Sequence, residues 1–552
     1  MCGIFALLVN NTKSIIDESI LNSYFMKGKK RGPEFSTLKK EKTGIDSFQL
    51  FLGFHRLAIN GLDVASNQPL YYNDLSVICN GEIYNYKQIL KDPSIQTKTN
   101  SDCEVILQLY EKNKYLCASM LDGVFSFILY DKINQKIMVA RDPYGVRPLY
   151  ETRYKNGNIG FASDITPLTF DTFENIRPFP PGSYAVYEID RNYNCWKMTH
   201  HEKYFFQNSY LPYYELTPEP LLYYMSKFAD MFKNAVRKRV DNCERDIACL
   251  LSGGLDSSLI SAIVCKMYKE KTGKILQTYS IGLEGGEDLK YAKTVAEHIG
   301  SNHTEIIVTN DHFIESIPNV IRDIESYDTT TVRASVGNWN IGKYISENSE
   351  AKVIFNGDGA DELAGGYLYF HKCPNDEEFD KETHRLLSDI NRYDVLRSDK
   401  SISSHGLEPR TPFLDKELTR FYLSIPIEMR NHNRNKHCEK YFIRKSIELY
   451  APELIPREIL WRRKEAFSDG VSSNEKSWFE IIQEHVDSEK ETTKVYNHNP
   501  PKTKEQTYYR KIFDSIFPEP CEKVIPYFWM PKYIEGAHDA SARTLEIYNK
   551  SL

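Results

Sequence analysis

Cys2 is the first residue whose type and position could do chemistry. If Met1 is removed, which a small second residue permits, Cys2 carries both a thiol and a free α-amine. An α-amine has a pKa of about 7.7–8, so a fraction of it is unprotonated near neutral pH and can accept the thiol proton. Nucleophile and base then belong to one residue, although a Met-Cys start alone also fits an ordinary N-terminus.

A second candidate site is the segment Cys249-Leu-Leu-Ser-Gly-Gly-Leu-Asp-Ser-Ser258, where an apolar run leads into a Ser/Gly-rich turn and then a helix. Such a turn aims backbone N–H groups and a helix N-terminus at one point, which suits a phosphate group. The Gly-Lys-Ser/Thr ending of a Walker A loop is missing. The segment therefore predicts a phosphate-binding loop of a different kind.

The first half of the chain carries six motifs in a fixed order. They are Cys2-Gly-Ile, Phe54-His-Arg-Leu-Ala-Ile59, Asn80-Gly-Glu-Ile-Tyr-Asn85, Ser101-Asp-Cys-Glu104, Leu121-Asp-Gly-Val-Phe-Ser-Phe127 and Arg141-Asp-Pro-Tyr-Gly-Val-Arg-Pro-Leu149. Together they closely resemble the class II glutamine amidotransferase domain. That resemblance implies an N-terminal-nucleophile (Ntn) hydrolase fold, an α+β architecture of four layers with antiparallel sheets.

The resemblance also implies a catalytic apparatus for glutamine hydrolysis. Cys2 would attack the side-chain amide and pass through a thioester, giving glutamate and ammonia. The side-chain amide of Asn80 and the backbone N–H of Gly81 would form the oxyanion hole for the tetrahedral intermediate. Alone, Asn80-Gly81 is also a common hairpin signal.

The same resemblance implies how the substrate glutamine is held. Arg56 would clamp the α-carboxylate as a two-pronged donor, although by itself such an arginine also fits a surface ion pair. Asp102, with Gly81 and Glu82, would hold the α-amino group. The full implied glutamine-binding set is Arg56, Leu57, Ile59, Asn60, Asn80, Gly81, Glu82 and Asp102.

In the second half, Ser252-Gly-Gly-Leu-Asp-Ser257 resembles the pyrophosphate loop of ATP pyrophosphatases, and later motifs narrow the match. They are Glu325-Ser-Tyr-Asp-Thr-Thr-Thr-Val-Arg-Ala-Ser335, Gly357-Asp-Gly-Ala-Asp-Glu-Leu-Ala-Gly-Gly-Tyr-Leu-Tyr-Phe-His-Lys372, Gly406-Leu-Glu-Pro-Arg-Thr-Pro-Phe-Leu-Asp415 and Arg463-Lys-Glu-Ala-Phe-Ser-Asp-Gly-Val471. These are similar to glutamine-hydrolysing asparagine synthetase. Thr503-Lys-Glu-Gln-Thr-Tyr-Tyr-Arg510 and Trp529-Met-Pro-Lys532 extend the similarity almost to the last residue.

The similarity implies a second reaction, in which ATP and aspartate form β-aspartyl-AMP and pyrophosphate, and ammonia then displaces AMP to give asparagine. Mg²⁺ would neutralise the phosphates, and Asp256 and Asp361 are the candidate ligands. Lys464 would balance charge on the phosphates or in the transition state, and Arg333 is a further candidate for this task. The implied ATP-binding set is Leu251, Ser252, Gly253, Gly254, Asp256, Ser257, Ser258, Ile281, Asn356 and Gly357, and Asp358 and Asp361 would face aspartate or the intermediate.

The sequence departs from the family pattern at three positions. Asp358 stands where the family usually has Glu, which retracts the carboxylate by one methylene and puts its hydrogen bond to substrate or ammonia in question. Glu34 replaces the usual Asp, and Ala466 replaces a common Gln. None of these changes removes a charged catalytic group, so we expect an active enzyme with altered kinetics.

Other functions fit parts of this pattern. A related β-lactam-forming synthetase would use a different carboxylate acceptor, but those enzymes generally lose the nucleophilic Cys or the glutamine-clamping Arg, and both are present here. A regulatory or scaffolding protein on a decayed synthetase fold would bind glutamine or nucleotide without turnover. The family resemblance further implies an intramolecular ammonia tunnel, lined by small and apolar residues, and a homodimer.

These residues require two architectures to position them. From Cys2 to about Ile189, short β-rich runs recur between Gly, Asn, Asp and Pro clusters, which favours antiparallel sheets with helices outside. The predicted strands are Gly3–Val9, Leu50–Ile59, Ser76–Cys79, Val124–Tyr130, Lys136–Ala140, Ile159–Ala162 and Ser183–Tyr187, with a helix at Asp102–Lys112.

Beyond an aperiodic connector at 199–218, helical periods alternate with brief apolar runs, a pattern typical of βαβ units and a parallel sheet with flanking helices. The predicted elements are helix Leu221–Arg239, strand Ile247–Leu251, helix Ser258–Lys269, strand Leu276–Ile281, helix Lys290–Ile299 and strand Lys352–Phe355. From about Lys381 the pattern is mostly helical, with an exposed polar insertion near Asp487–Lys504. We expect a glutaminase domain at 2–200, a linker at 201–219 and a synthetase domain at 220–552.

Composition excludes several classes of function. A chain of 552 residues exceeds the usual size of one hydrophobic core, so two or more domains are expected. With 70 basic and 76 acidic residues there is no charge excess for nucleic acid, and no apolar run is long enough to span a membrane. The eleven cysteines show no Cys-x-x-Cys pair, and the N-terminus has no basic segment of a secretory signal, so reduced thiols and a cytoplasmic location are expected.

Overall fold

The computed structural model describes residues 1–10, 16–45, 47–207, 218–464, 477–488, 494–534 and 539. Half of the predicted connector, residues 208–217, lies outside the described residues, as do 489–493 of the predicted polar insertion and Ala466. Among the described residues, no helix combines the length and the apolar character needed to cross a lipid bilayer.

Two antiparallel six-stranded sheets form the first half. Their strands are β1 (Gly3–Val9), β2 (Phe35–Glu41), β3 (Gln49–Arg56), β4 (Leu70–Tyr72), β5 (Leu75–Ile83), β6 (Gly123–Asp131), β7 (Lys136–Arg141), β8 (Tyr150–Tyr154), β9 (Ile159–Ala162), β10 (Phe173–Pro178), β11 (Ser183–Asp190) and β12 (Cys195–Lys203). One sheet has the order β10-β8-β9-β1-β3-β2 and the other β12-β11-β7-β6-β5-β4. The last strand thus runs three residues past the boundary expected at 200.

The two sheets stack face to face between helices. The helices of this half are α1 (Glu18–Phe25), α2 (Tyr86–Ile89), α3 (Val105–Asn113) and α4 (Cys117–Met120). Side chains alternate along each strand. In β1, Ile4, Ala6 and Leu8 fill the core between the sheets, while Phe5 packs towards α1. In β5, Ile78 faces the same central core and Cys79 packs towards α3. The predicted four-layer fold of the first half is confirmed.

A five-stranded parallel sheet organises the second half. Its strands are β13 (Ile247–Leu250), β14 (Gln277–Leu283), β15 (Asn302–Val308), β16 (Val353–Phe355) and β17 (Glu408–Arg410), in the order β15-β14-β13-β16-β17. Every pair in this sheet is parallel, which confirms the predicted α/β architecture.

Helices surround this sheet and continue beyond it. They are α5 (Pro218–Asp241), α6 (Leu255–Thr272), α7 (Glu287–Ile299), α8 (Asn310–Ile324), α9 (Thr329–Asn348), α10 (Ala360–Ala364), α11 (Asp376–Asp389), α12 (Asp394–Ser403), α13 (Lys416–Ser424), α14 (Ile427–Arg430), α15 (Tyr441–Tyr450), α16 (Arg457–Leu460), α17 (Trp478–Asp487) and α18 (Lys504–Ile516). Parallel strands require crossover connections, and α6 and α7 supply the first two.

The two halves bury charged groups against each other. Arg31 of the first half lies 2.7 Å from Asp399 of the second, and Arg147 lies 3.4 Å from the other oxygen of the same carboxylate. Tyr144 Oη donates to Thr419 Oγ1 at 2.7 Å. All of these side chains are buried. Because an unpaired buried charge is costly, these pairs strongly disfavour separation or sliding of the two halves.

Candidate functional site

Cys2 directly precedes β1, which pairs with β3 and β9 in the first sheet. Cys2 Sγ lies 3.5 Å from the carbonyl oxygen of Leu57. The Ser163 hydroxyl accepts from the backbone N–H of Ile4 at 3.1 Å and from Asn80 Nδ2 at 3.4 Å. One hydroxyl therefore contacts both the strand that carries Cys2 and the strand that carries Asn80. The sequence prediction extended β3 to Ile59, but β3 ends at Arg56 and the chain then turns towards Cys2.

Asn80 and Gly81 have the properties required of an oxyanion hole. Asn80 is fully buried, and among the described residues its side-chain amide donates one hydrogen bond, the long one to Ser163. Gly81 pairs with Phe125 in β6, and an added Cβ would lie 2.3 Å from the carbonyl oxygen of Val124. Glycine at position 81 is thus required for packing against β6, and the buried Asn80 amide, a donor with a weak partner, can serve a negative charge that develops at Cys2.

Arg56 is a buried cation without a carboxylate partner. Its Nη1 donates to the carbonyl oxygen of Asp63 at 2.8 Å and to Asn67 Oδ1 at 2.7 Å, and its Nη2 donates to the carbonyl oxygen of Gly61. Arg56 forms no ion pair with any described residue, so the alternative prediction, that it forms a surface ion pair, is wrong. A guanidinium held only by neutral acceptors retains its charge for a substrate carboxylate.

Asp102 is the matching buried anion. Its Oδ2 accepts from the backbone N–H of Ile83 at 2.6 Å, and it forms no ion pair with any described residue. Burial raises the pKa of Asp102 to about 6, although the Ile83 hydrogen bond opposes the shift. Arg56 and Asp102 together therefore present the two charges that complement an amino-acid zwitterion.

The raised pKa of Asp102 predicts a pH dependence of glutamine binding. As pH falls through about 6, the carboxylate becomes protonated and loses its attraction for an α-ammonium group. In a Cys2→Ala variant, which binds without turnover, we expect the glutamine dissociation constant to rise below that pH. Calorimetric titrations from about pH 5 to 8 measure it. Asp102→Asn should bind weakly throughout, and a pH-independent constant in the Cys2→Ala variant would contradict the assignment.

Of the other predicted glutamine-binding residues, Leu57 contacts Cys2 Sγ through its carbonyl oxygen. Leu57 and Ile59 are buried in the core that joins the two halves. Asn60 Nδ2 donates to Glu82 Oε2 at 2.5 Å, and that oxygen lies 3.3 Å from Arg410 Nη2 of the second half. The Glu82 side chain therefore serves the contact between the halves, which leaves only its backbone for the α-amino group.

Met1 alters the environment of the thiol. Its amine donates to the carbonyl oxygen of Leu407 at 2.9 Å and is buried, which lowers the pKa of the amine to about 5. Burial raises the pKa of the Cys2 thiol to about 11, partly offset by the charge of the N-terminus. While Met1 is present, the thiol is thus protonated at neutral pH, and the free amine does not belong to Cys2.

The second site is a cavity of about 250 Å³ at the carboxyl ends of β13, β14 and β16. Ligands of open α/β sheets bind at this edge. Every residue predicted for the ATP, aspartate, metal and charge-balancing roles lines this cavity except Gly253 and Ser258. The structure therefore brings together residues that are more than 200 positions apart in the chain, from Leu251 to Lys464.

The Ser/Gly-rich turn forms the floor of the cavity. Ser252 and Ser257 hold the turn closed through hydroxyls 3.0 Å apart. Gly253 has φ +71°, and an added Cβ would lie 2.4 Å from the backbone nitrogen of Ala292. Ser258 is fully buried inside α6 and does not line the cavity. Gly253 thus shapes the turn, and the ATP contact of Ser258 stays a prediction.

Gly253→Ala should damage the second site alone. The new methyl group collides with backbone, and the left-handed conformation disfavours alanine, so we expect at least about a tenfold loss of aspartate-dependent pyrophosphate release with glutaminase activity retained. Gly273→Ala is the matched control, since Gly273 has φ +72° at the end of α6 with nothing within 4 Å of an added Cβ. Equal losses in both variants would contradict this role.

Two lysines hold the carboxylates of the cavity. Lys440 Nζ lies 2.5 Å from Asp256 and 2.6 Å from Asp361, and Lys464 Nζ lies 2.6 Å from the other oxygen of Asp361. The motifs did not include Lys440, which directly precedes α15 in a segment, 431–440, that contains no glycine. Together the lysines can neutralise phosphates brought into the cavity.

Asp358 reaches the cavity despite its shorter side chain. Its Oδ1 lies 2.9 Å from Arg397 Nη2, a residue that the motifs also missed, and its Oδ2 has no hydrogen-bond partner among the described residues. Burial raises the pKa of Asp358, and Arg397 opposes the shift. Glu34, the second departure, accepts from the backbone N–H of Ala58 at 2.7 Å and pairs with Arg245 at 3.1 Å.

Arg333 is already neutralised. Its guanidinium donates to Glu505 at 2.7 Å and to Asp539 at 2.8 Å, and the side chain is buried. These carboxylates raise the pKa of Arg333. The assignment of Arg333 to phosphate charge stays a prediction, in a structure where two carboxylates pair with its guanidinium.

The residues of the cavity fit Mg²⁺ only when phosphate oxygens supply further ligands. Among the described residues, no group of three or more His, Cys, Asp or Glu side chains is arranged to hold a metal ion. Asp256 and Asp361 converge on one point, and Asp256 Oδ1 has no hydrogen-bond partner in the described part of the chain. Two carboxylates, with phosphate oxygens and water completing an octahedron, are a usual Mg²⁺ environment.

Comparison with known families covers both halves. A family profile described as "Glutamine amidotransferase domain" matches residues 1–178, and one described as "Asparagine synthase" matches residues 227–379 and 372–537. The asparagine synthetase (glutamine-hydrolyzing) of Gallus gallus is 40% identical over 585 residues, and that of Homo sapiens is 39% identical over 582 residues. Both alignments cover 100% of this chain and of the relative. The chain belongs to the family of glutamine-hydrolysing asparagine synthetases.

Proposed function

We propose that the protein makes asparagine from aspartate, with ATP as the activating substrate and glutamine as the nitrogen donor. The observation that carries this proposal is the full-length relationship to enzymes of that name, in a chain that retains Cys2 and a lysine-rich nucleotide cavity. Residues 2–200 act as the glutaminase domain and 220–552 as the synthetase domain, joined by 201–219.

Glutamine hydrolysis takes place at Cys2. Arg56 binds the α-carboxylate, and Asp102 with the backbone of Gly81 and Glu82 binds the α-ammonium group. The thiol, activated by its own α-amine after Met1 is removed, attacks the side-chain amide carbon. Asn80 Nδ2 and the Gly81 N–H stabilise the oxyanion, ammonia leaves, and water releases glutamate from the thioester.

Asn80→Ala tests the oxyanion hole. Removing one donor of such a site costs about 10²–10³-fold in turnover. We expect that loss in glutamine-dependent glutamate release, with glutamine binding nearly unchanged because Asn80 stabilises the transition state. Ammonium-dependent asparagine formation should be unaffected. A variant that keeps more than about a third of wild-type glutaminase turnover would contradict the role.

Aspartate activation takes place in the cavity of the second half. The turn at Ser252–Ser257 cradles the phosphates, Leu251 and Ile281 flank the adenosine, and Asn356 and Gly357 approach it through backbone. The aspartate β-carboxylate attacks the α-phosphorus, pyrophosphate leaves, and ammonia then displaces AMP. Mg²⁺, when held by Asp256 and Asp361, supplies charge neutralisation of the phosphates.

The remaining side chains act on the departing pyrophosphate and on the intermediate that ammonia attacks. Lys464 and Lys440 neutralise charge on the pyrophosphate. Asp358, oriented by Arg397, faces the intermediate. Ammonia crosses between the halves through an intramolecular tunnel, which keeps it from protonation in bulk water.

Three finer properties are also proposed. The homodimer rests on the family resemblance, and a cytoplasmic location with no nucleic-acid or membrane partner rests on the composition of the sequence. Light scattering of the purified chain measures the oligomeric state, where a mass twice the 64.2 kDa of the chain is expected.

Pyrophosphate release with different acceptors tests the substrate assignment. We expect release to require ATP together with aspartate, and to be supported by either glutamine or ammonium as the nitrogen source. A β-lactam-forming relative would require a different carboxylate, and a regulatory or scaffolding protein would bind glutamine or ATP with no release. Release that does not depend on aspartate would contradict the proposed function.

A further inference from the structure

A lysine side chain occupies the centre of the proposed metal site. Lys440 Nζ lies 2.5 Å from Asp256 Oδ2 and 2.6 Å from Asp361 Oδ1, and its side chain is only 1% exposed. The two carboxylates converge because a single ammonium group contacts both. The ammonium therefore takes the position of a cation that bridges these two residues.

The surrounding chain is shaped for this contact. Lys440 has φ +57° immediately before α15, a left-handed conformation that residues with a side chain adopt at a cost. Gly366 lies against its aliphatic stem, and an added Cβ there would lie 2.1 Å from Lys440 Cε and 2.2 Å from Asp361 Oδ1. Any other residue at position 366 would displace the lysine from the carboxylates. The contact is thus built into the backbone on both sides.

The charges of the cluster balance without a metal ion. Asp256 and Asp361 carry two negative charges, and Lys440 and Lys464 carry two positive charges at hydrogen-bond distance. A divalent ion added to this cluster would meet two ammonium groups within a few ångströms, where repulsion between like charges is strong. ATP brings its own negative charges, which can attract both the metal ion and the lysines.

We propose that Lys440 is a stand-in cation, which holds Asp256 and Asp361 together before nucleotide binds and gives its place to Mg²⁺ when Mg–ATP arrives. Its ammonium then turns to the triphosphate. The free enzyme accordingly binds divalent metal weakly, and nucleotide is needed to open the site. This inference rests on the proposed synthetase function, but its test requires no asparagine formation.

Direct Mn²⁺ binding tests the proposal. Electron paramagnetic resonance of the full chain without nucleotide measures free Mn²⁺ during a titration. We expect Lys440→Gln and Lys440→Met to bind one Mn²⁺ at least about tenfold more tightly than the wild type, because a positive charge at the site is gone. Adding Asp361→Asn to either variant should remove that binding.

Lys436→Gln is the matched control. Lys436 lies four residues earlier, with φ +55°, but its side chain is exposed. This variant should bind Mn²⁺ like the wild type. A retained thermal transition and retained glutaminase activity show that each variant is folded.

Two outcomes would overturn the proposal. One is a folded Lys440→Gln variant that binds Mn²⁺ no more tightly than the wild type. The other is tight, micromolar Mn²⁺ binding by the wild-type chain without nucleotide, which decides the question even if both Lys440 variants fail to fold. A wild-type chain that forms no asparagine, while all variants show the expected Mn²⁺ behaviour, would instead contradict the proposed function and leave the role of Lys440 intact.

Discussion

Cys2→Ala will lower glutamine-dependent asparagine formation by at least about 10³-fold and leave ammonium-dependent formation within about twofold of the wild type. The thiol is the proposed nucleophile, and its neighbours Asn80, Arg56 and Asp102 can bind glutamine but cannot cleave it. The second site lies in the other half and needs only ammonia. The measurement is asparagine formed from aspartate and ATP with each nitrogen source in turn.

The control for this variant is Cys195→Ala, which removes a partly exposed thiol from β12. It should behave like the wild type with both nitrogen sources. Chains that retain Met1, identified by mass spectrometry of the intact protein, should share the defect of Cys2→Ala, because the buried thiol then has its pKa raised to about 11. Glutamine-dependent synthesis by the Cys2→Ala variant above one per cent of wild type, roughly, would contradict Cys2 as the nucleophile.

Lys464→Met is expected to lose synthetase activity and to keep glutaminase activity. Lys464 lines the nucleotide cavity, where its ammonium group pairs with Asp361, so its charge can follow the phosphates as pyrophosphate departs. Removing a cation aimed at developing charge in an enclosed site costs about 10²–10³-fold or more. We expect such a loss of aspartate-dependent pyrophosphate release with either nitrogen source, and glutaminase activity within about twofold.

Lys445→Met provides the comparison for Lys464. Lys445 pairs with Glu448 on α15 and is partly exposed, outside the cavity. It should change neither activity. If Lys464→Met kept pyrophosphate release near the wild-type rate, or lost glutaminase activity equally, the charge-balancing role would be wrong.

Inner strands were predictable from the sequence except for β8, the polar Tyr-Glu-Thr-Arg-Tyr, and edge strands were not. The central strands β1, β5, β6, β13 and β16 have continuous apolar runs because both of their faces are buried. The six edge strands of the three described sheets were all missed. They are β2, β4, β10, β12, β15 and β17. Edge strands are short, charged or half exposed, as in the Phe-Ser-Thr-Leu-Lys-Lys-Glu of β2, so their pattern carries little signal.

The functional residues also divide into those that the sequence motifs identified and those that they missed. The motifs identified residues that are proposed to contact substrate through the backbone or from a fixed turn, such as Gly81 and Ser252. They missed Lys440 and Arg397, whose positions depend on how distant helices pack over the sheet. The motifs also did not show that Arg333 pairs with carboxylates or that Ser258 is buried, because a sequence motif does not reveal which side of a helix faces a partner or the core.

Transfer of nitrogen within one molecule is the central claim, and it can be measured directly. The wild-type chain is supplied with aspartate, ATP, Mg²⁺ and glutamine labelled with ¹⁵N in its side-chain amide, in the presence of excess unlabelled ammonium at a pH near neutrality. Mass spectrometry of the product is expected to show asparagine that carries ¹⁵N in its side-chain amide well above the proportion in free ammonium, with one pyrophosphate released per asparagine. Product without ¹⁵N enrichment, or pyrophosphate released without asparagine, would contradict a coupled glutaminase and synthetase.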